Sequence, residues 1–245
     1  QLSMSKSNHT LAGRTAIVSA FSLLAAALAV GAILVYGDLS IPEACPVSRG
    51  VFGNDQDFCN QYRPNYDPEK ARALLAEMGY GPDNPLETTM VVWTGGNRQK
   101  LAEVFQAQLA EVNIEADIEI MDIGSMNARV RQENEKTEGK ASMDMMTWSW
   151  YDPDILYALW HSPGAYRGYN TPELDAMLKE TRILTDPEAR RAKVQEVFKH
   201  LLENGVHIPL YTPGWEWVFA VRPEVEGFKV APFVYPVFAD VKLGG

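Results

Sequence analysis

The sequence has few of the side chains from which catalytic and metal centres are built. Its four histidines, His9, His161, His200 and His207, are scattered along the chain. No His-x-x-x-His or Cys-x-x-Cys spacing suits zinc, no phosphate-binding pattern follows the glycine pair at 95–96, and no serine stands in a Gly-x-Ser-x-Gly setting. We therefore predict a protein that is not an enzyme and that has no catalytic residue, cofactor or metal site.

Basic residues are also in short supply. The chain has 22 Lys and Arg against 32 Asp and Glu, which gives a formal net charge of −10 at pH 7. Residues 1–40 contribute only Lys6, Arg14 and Asp38, so the acidic excess lies beyond residue 40. An acidic surface argues against a nucleic acid partner and against electrostatic docking on anionic lipid.

Residues 15–36 contain no charged side chain. A bilayer core of about 30 Å is crossed by roughly 20 helical residues, so this run is long enough for one transmembrane helix. Lys6 and Arg14 precede the run and Asp38 and Glu43 follow it, which favours a cytoplasmic N-terminus. We expect a single-pass protein of the bacterial inner membrane, with its C-terminal domain in the periplasm.

A cleaved signal peptide is the alternative for this run. The basic start and the small residues at 29–32 fit that pattern. The apolar run continues through residues 33–36, beyond such a cleavage site, which favours an uncleaved anchor. The first residue is Gln1 rather than an initiator Met.

Cysteine occurs only at Cys45 and Cys59, which enclose a loop rich in Gly, Pro and Asn. A disulfide closing a loop of about 15 residues contributes roughly 3 kcal/mol to stability, and it persists in an oxidising compartment. The alternative is two unrelated buried thiols. We predict the disulfide, since no further Cys or His lies nearby to complete a metal site.

Apolar periodicity and capping residues predict the elements of the remaining chain. Helices are predicted at residues 68–78, 97–112, 126–133, 172–184 and 187–204. Strands are predicted at residues 88–94, 116–123, 143–150, 207–211 and 217–221, with a loop at 134–140. This order predicts an α/β fold in which helices pack on a mixed sheet.

Six segments, in this order along the chain, resemble one protein family. They are YDPEKARALLAEMGYG, QAQLAEVNIEADIEIMD, TWSWYDPD, GYNTPELDAMLKET, DPEARRAKVQEVFKHLLENGVHIPLY and VRPEVEGFKV. Together they resemble the C-terminal lobe of the extracytoplasmic solute-binding proteins of family 5, the dipeptide, oligopeptide and nickel receptors of ABC importers. The resemblance runs from about residue 35 to residue 243 and implies one lobe of a periplasmic-binding-protein fold.

The resemblance also implies where a ligand would bind. Trp148, Trp150 and Asp152 match the family segment that reaches the ligand cleft, where an acid can pair with a peptide amine. Asp152 stands one position later than the acid usually does in the family. Tyr169 and Asn170 match the rim of the cleft. The alternative is that the tryptophans pack in the core, Asp152 begins a turn before Pro153, and residues 169–170 lead into the next helix.

We divide the chain into a cytoplasmic segment (1–14), a transmembrane helix (15–36), a disulfide-bearing linker (37–66) and a solute-binding-protein-like domain (67–245). A cleft needs two walls to bury a ligand, and the segments above match one lobe. We therefore expect a structural subunit of a larger photosynthetic, respiratory or transport complex of the bacterial membrane. It would contact its partners through the helix and the periplasmic domain. The alternative is a receptor component of an ABC importer that binds a peptide or another small solute.

Overall fold

The computed structural model describes residues 33–35, 37, 40–135, 142–146, 150–162, 171–213, 221–230 and 236–244. The helices in these ranges are α1 (Gln56–Tyr62), α2 (Pro68–Glu77), α3 (Arg98–Ala110), α4 (Ile123–Glu135), α5 (Ile155–Trp160), α6 (Pro172–Ile183) and α7 (Pro187–Glu203). The longer strands are β1 (Ser40–Pro42), β2 (Leu86–Trp93), β3 (Ile114–Met121), β4 (Ser142–Met145) and β5 (Tyr211–Pro213). Four two-residue strands follow: β6 (Val225–Glu226), β7 (Lys229–Val230), β8 (Pro236–Val237) and β9 (Lys242–Leu243).

Three of the predicted helices begin at the capping residues that the sequence indicates. Asp67, Thr171 and Asp186 each accept a hydrogen bond from the backbone N–H three residues later, and a proline follows each of them. The cap satisfies an N–H group that has no partner within the helix, and proline has no N–H to lose at this position. Helices α2, α6 and α7 are therefore confirmed to within one residue at each end.

The central sheet has the strand order β3-β2-β4, and both strand pairs are parallel. Helix α3 connects β2 to β3, and α4 connects β3 to β4. The expected mixed sheet is thus a parallel one in the described residues, and their antiparallel pairs form separate two-stranded sheets, one of which joins β1 to β5. Parallel neighbours follow from the helical crossovers, which return the chain to the starting edge of the sheet.

Other predicted bounds need correction. The strand predicted at 116–123 is β3, which ends at Met121 because α4 begins at Ile123. The strand predicted at 143–150 is β4, which ends at Met145. The strand predicted at 207–211 begins only at Tyr211, where pairing with β1 starts. Residues 136–140 and 217–220 lie outside the described part of the chain.

Two clusters of buried apolar side chains hold these elements. The sheet core joins α2, α3, β2 and β3 and comprises Ala71, Leu75, Leu86, Met90, Val92, Leu101, Ala102, Phe105, Leu109, Val112, Ile114 and Ala116. The disulfide core joins residues 44–59 to helices α5, α6 and α7. It comprises Ala44, Cys45, Val47, Val51, Cys59, Ile155, Leu156, Leu159, Trp160, Leu174, Leu178, Val194, Val197, Phe198, Leu201 and Leu202.

Cys45 and Cys59 form the predicted disulfide, with an S–S distance of 2.06 Å. Both residues are at most 1% exposed, and they lie among the side chains of α5, α6 and α7. Residues 44–59, which we expected to belong to a linker, therefore contribute directly to a core. At Gly53, φ is +86°, and a Cβ atom there would lie 2.6 Å from Cγ1 of Val194, so both the turn and the close approach to α7 favour glycine.

The Glu43 carboxylate is buried between β5 and the loop that the disulfide closes (residues 45–59), which we call the disulfide loop. Glu43 is 4% exposed, and its backbone N–H donates to the carbonyl of Leu210 at 3.3 Å. Five groups donate hydrogen bonds to its side-chain oxygens: the backbone N–H of Ala44 and of Cys45, and the side chains of Asn54, Gln56 and Thr212. Burying a carboxylate is costly unless it is fully hydrogen-bonded, and this one is supplied with donors from both sides.

The predicted membrane span lies almost wholly outside the described residues. Of residues 15–36, only 33–35 are described, and Val35 packs against the sheet core. Within the described ranges, none of the helices combines the length and the apolar character that a bilayer crossing requires.

Candidate functional site

The carboxyl ends of the three parallel strands lie at one edge of the central sheet. Strand β2 ends at Trp93 beside Met121, the last residue of β3, and β4 ends at Met145 beside Val92. The N–H of Thr94 donates to the carbonyl of Met121 at 2.8 Å, which ties the loops after β2 and β3 together. In α/β sheets, ligands bind in the crevice outside the carboxyl ends of the strands, so this carboxyl edge is the candidate site.

An aromatic ring and a cation are stacked at this edge. The Arg98 guanidinium carbon lies 3.9 Å from the centroid of the Trp93 ring, and Nη1 of Arg98 donates to the carbonyl of Gly95 at 2.8 Å. The loop turns at Gly95 and Gly96, where φ is +116° and +61°. Because the ring and the carbonyl hold the guanidinium in place, the edge presents a fixed positive charge at the start of α3. Such an arrangement can attract a carboxylate.

A small apolar cluster lies under the same edge. Val91 and Met126 are fully buried, and Trp93, Met121 and Met146 pack against them while remaining partly accessible. Methionine is unbranched and polarizable and adapts its shape to what it contacts. The edge therefore combines a cation with an apolar surface.

Two further aromatic residues follow β4. Trp150 is 45% exposed and Tyr151 is 64% exposed, and their rings stack with centroids 6.1 Å apart. The alternative of a core role does not describe Trp150, because large aromatic side chains in a core are buried. Of the other predicted site residues, Trp148, Tyr169 and Asn170 lie outside the described part of the chain.

Asp152 is engaged within the domain. Its Oδ1 accepts from Nη2 of Arg190 at 2.7 Å, its Oδ2 accepts from Nη1 at 3.1 Å, and Oδ1 also accepts from the backbone N–H of Asp154 at 2.9 Å. Burial raises the pKa of Asp152, but the hydrogen bonds from Arg190 and Asp154 and the charge of Arg190 outweigh burial and lower it. The contact between Asp152 and a peptide amine stays a prediction. The structure shows that Asp152 is also paired with Arg190, which the sequence did not predict.

The sequence interpretation missed Trp93 and Arg98. The glycine pair between them does not match a phosphate-binding loop, and no other role is predicted for it from the sequence. The sequence does hold a signal for Trp93 and Arg98. A tryptophan ends a buried strand, and Gly-Gly and an arginine at a helix start follow it. No cluster of three or more His, Cys, Asp or Glu side chains able to hold a metal ion occurs among the residues with a described position.

The sequence profile of one family matches residues 28–170, which is more than half of the chain. The family is described as "Bacterial extracellular solute-binding proteins, family 5 Middle". Its members are binding receptors rather than enzymes.

Two similar proteins carry names that state a ligand. The chain is 29% identical over 225 residues to "Di/tripeptide-binding protein 2" of Pseudomonas aeruginosa, which covers 86% of this chain. It is 30% identical over 208 residues to "Glutathione-binding protein GsiB" of Salmonella choleraesuis, which covers 79% of this chain. In both comparisons the chain spans 39% of the length of the relative.

Solved structures of binding proteins share the fold. The periplasmic binding protein DppA of Helicobacter pylori, associated with an ABC transporter and in complex with the peptide STSA, matches 98% of this chain and 45% of its own. The TM-score is 0.66 at 21% identity. The dipeptide-binding protein of Pseudoalteromonas sp. SM9913 in complex with Met-Leu gives a TM-score of 0.68 at 19% identity, over 94% of this chain and 44% of its own. The chain thus has an α/β fold of the periplasmic-binding-protein type.

Proposed function

Because the chain belongs to the bacterial extracellular solute-binding proteins of family 5, we propose that it forms part of a receptor that binds a short peptide for an ABC importer. The names of its relatives support a peptide ligand, whether a di- or tripeptide or glutathione. They give less support to the purely structural membrane subunit that the sequence led us to expect. The proposed receptor contacts the membrane components of the importer.

The stacked pair of Trp93 and Arg98 at the carboxyl edge is the observation that carries this proposal. A short peptide offers a carboxylate and apolar side chains. Arg98 supplies a positive charge for the carboxylate, and the ring of Trp93 with Met121 and Met146 supplies an apolar surface. An ion pair at an open surface contributes only about 0–1 kcal/mol, so useful affinity requires that the bound peptide be enclosed.

We also propose that the domain works outside the cytoplasm. The buried disulfide supports this location, because such bonds persist in oxidising compartments. The uncharged run at residues 15–36 supports attachment to the inner membrane. Retention of the intact protein in the membrane fraction after a carbonate wash tests the attachment, and full release into the soluble fraction contradicts it.

Calorimetric titration of the intact protein with Ala-Phe, Ala-Phe amide and glutathione tests peptide binding. We expect a dissociation constant in the micromolar range or below for at least one peptide. Arg98→Gln should weaken the binding of Ala-Phe by at least about tenfold, since in an enclosed site a hydrogen bond to a charged group contributes about 1.5–3 kcal/mol. The affinity for Ala-Phe amide, which has no carboxylate, should fall much less in this variant.

Lys100→Gln is the matched control for this titration. It removes the same charge from the same helix, but residues two positions apart point to different sides of a helix. Lys100→Gln should therefore leave the affinity for Ala-Phe within about twofold of the wild-type value. If none of the peptides binds, the proposed function is wrong; if both variants lose affinity equally, Arg98 is not the carboxylate partner.

A further inference from the structure

Arg190 joins three separate segments of the chain that surround the disulfide core. Its Nε donates to the carbonyl of Thr181 at the end of α6 at 3.0 Å, and its two Nη atoms bind both oxygens of Asp152. Its guanidinium carbon lies 5.1 Å from the centroid of the Phe52 ring, which belongs to the disulfide loop. Only a quarter of the Arg190 side chain is exposed.

The segment that Arg190 fixes is the one that presents the exposed aromatic pair. Asp152 directly follows Tyr151 and lies two residues after Trp150. The carboxylate of Asp152 also accepts the N–H of Asp154, and Nε of Arg182 lies 3.0 Å from Oδ1 of Asp154. The backbone at 152–154 is therefore anchored, while the two rings just before it remain open to solvent.

From this geometry we propose that Arg190 is a positioning residue for ligand binding. It holds Asp152, and through Asp152 it presents the Trp150–Tyr151 pair as a preformed surface for an aromatic or apolar side chain of the bound peptide. This inference rests on the proposed function and names the class of peptide side chain. Rings that are fixed before binding lose less conformational freedom when the ligand arrives, which raises affinity.

The geometry requires arginine rather than any cation. The guanidinium plane supplies two parallel N–H groups to the carboxylate and a third N–H to Thr181. A lysine ammonium at the same position could meet one carboxylate oxygen but could not reproduce the planar fork. Arg190→Lys should therefore keep the charge and lose much of the hold on Asp152.

The test compares Arg190→Gln with Arg191→Gln in the intact protein. Arg191 is the next residue of α7, and its guanidinium carbon lies 4.7 Å from the same Phe52 ring, but its ion pair is with Glu188 at 3.9 Å. The peptides Ala-Phe and Ala-Ala are titrated into each variant. Amide hydrogen exchange is followed at residues 150–156, at a temperature where circular dichroism shows the variant folded.

We expect Arg190→Gln to weaken Ala-Phe binding by about tenfold and Ala-Ala binding by less, because the two aromatic side chains then have to be ordered when the ligand binds. Exchange at residues 150–156 should accelerate in this variant. Arg191→Gln should change neither quantity by more than about twofold. Arg190→Lys and Asp152→Asn should resemble Arg190→Gln, and they replace it if that variant does not fold.

The double variant Arg190→Gln/Asp152→Asn should lose no more affinity than either single variant, because both substitutions remove the same contact. If Arg190→Gln binds both peptides as the wild type does, Arg190 only stabilises the fold and the inference is wrong. Equal losses for Ala-Phe and Ala-Ala contradict the assignment to an aromatic or apolar side chain. If the wild-type protein binds glutathione but neither Ala-Phe nor Ala-Ala, the assignment to an aromatic or apolar side chain is wrong. If it binds none of the three peptides, the proposed function is wrong, and unchanged exchange rates in Arg190→Gln would show that Arg190 does not hold the segment either.

Discussion

The sheet core and the disulfide core differ in how far apart in the sequence their residues lie. Residues of the sheet core fall within 71–116, so a continuous stretch of helix, strand, helix and strand supplies them. The disulfide core combines residues 44–59 with residues 155–202. Bringing distant segments together costs more chain entropy than bringing neighbouring ones together. The contacts between residues 44–59 and 155–202 have to offset that cost.

Covalent and ionic cross-links accompany the second arrangement. The Cys45–Cys59 disulfide closes the loop, Glu43 connects it to Thr212, and Arg190 connects Phe52 and Asp152 across α7. The sheet core is held by apolar side chains and by parallel strand pairing. The difference teaches that one stretch of chain can supply the buried residues of the sheet core, whereas the disulfide core joins distant segments and carries specific cross-links beside its apolar contacts.

The largest expected effect separates the two cores directly. Replacing both Cys45 and Cys59 by serine should lower the free energy of unfolding by about 3 kcal/mol, the value for a loop of about 15 residues. In native-state hydrogen exchange, amides of α1 and α7 should lose protection, while those of β2 should keep theirs. A reductant should have no further effect on the variant. If amide exchange in β2 accelerates as much as in α1 and α7, the two cores open as one unit.

The next largest expected effect is the loss of stability when one of two glycines is replaced by alanine. Gly53 of the disulfide loop and Gly79 after α2 have φ values of +86° and +87°, but only at Gly53 would a Cβ atom meet a neighbour, Val194. Gly→Ala at either site costs the strain of a left-handed residue, about 1–2 kcal/mol. Urea denaturation should show a further loss of about 2 kcal/mol at Gly53 from overpacking.

Val194→Ala sharpens this comparison. It removes the methyl group that a Cβ at Gly53 would meet, so Gly53→Ala should cost less in the Val194→Ala background than in the wild type. The cost of Gly79→Ala should be the same in both backgrounds. If Gly53→Ala and Gly79→Ala cost the same in the wild type, the close approach of the loop to α7 does not constrain residue 53.

The smallest effect is on the pH dependence of stability. Burial raises the pKa of Asp152, but the hydrogen bonds from Arg190 and Asp154 and the charge of Arg190 together outweigh burial, so this pKa is lowered in the folded protein. The unfolded chain, with an Asp pKa of about 3.9, therefore binds more protons at acidic pH, so this stabilisation is present above about pH 4 and is lost as the pH falls through the lowered pKa. In Arg190→Gln, the free energy of unfolding should fall less steeply than in the wild type as the pH is lowered from about 5 to 3.

Arg72→Gln is the control for this titration. Arg72 pairs with Glu69 at 2.5 Å on α2, a helix of the sheet core, but the Glu69 side chain is 84% exposed. An exposed pair contributes little, so this substitution should leave the acid dependence close to that of the wild type. An identical slope for the wild type, Arg190→Gln and Arg72→Gln would show that the Asp152 pair does not contribute to acid sensitivity.

The sequence predicted features whose causes are local. Asp67, Thr171 and Asp186 mark helix starts because each bonds an N–H three residues away. Helix α5 was missed because ILYALW is apolar on every side and shows no helical period. Strand β5 was placed too early because its position depends on pairing with β1, about 170 residues away in the chain, as the register Ser40 to Pro213 shows.

The candidate site divides in the same way. The exposure of Trp150 agrees with its predicted contact with a ligand, although that contact stays a prediction. The pairing of Asp152 with Arg190, 38 residues later, could not be predicted because no local pattern brings them together. Trp93 and Arg98 are five residues apart, and their stacking depends on the turn at Gly95 and Gly96 between them.

Glu43 also sets an order in which the chain can be completed during synthesis. Its hydrogen-bond partner Thr212 lies 169 residues downstream, whereas its other side-chain donors lie within 13 residues. A nascent chain that has emerged only as far as α7 holds the carboxylate with the loop donors alone, and one of its oxygens still needs the hydroxyl of Thr212. The ribosome must therefore release residue 212 before this carboxylate can receive all of its hydrogen bonds, so β5, made about 170 residues after β1, closes the site beside β1.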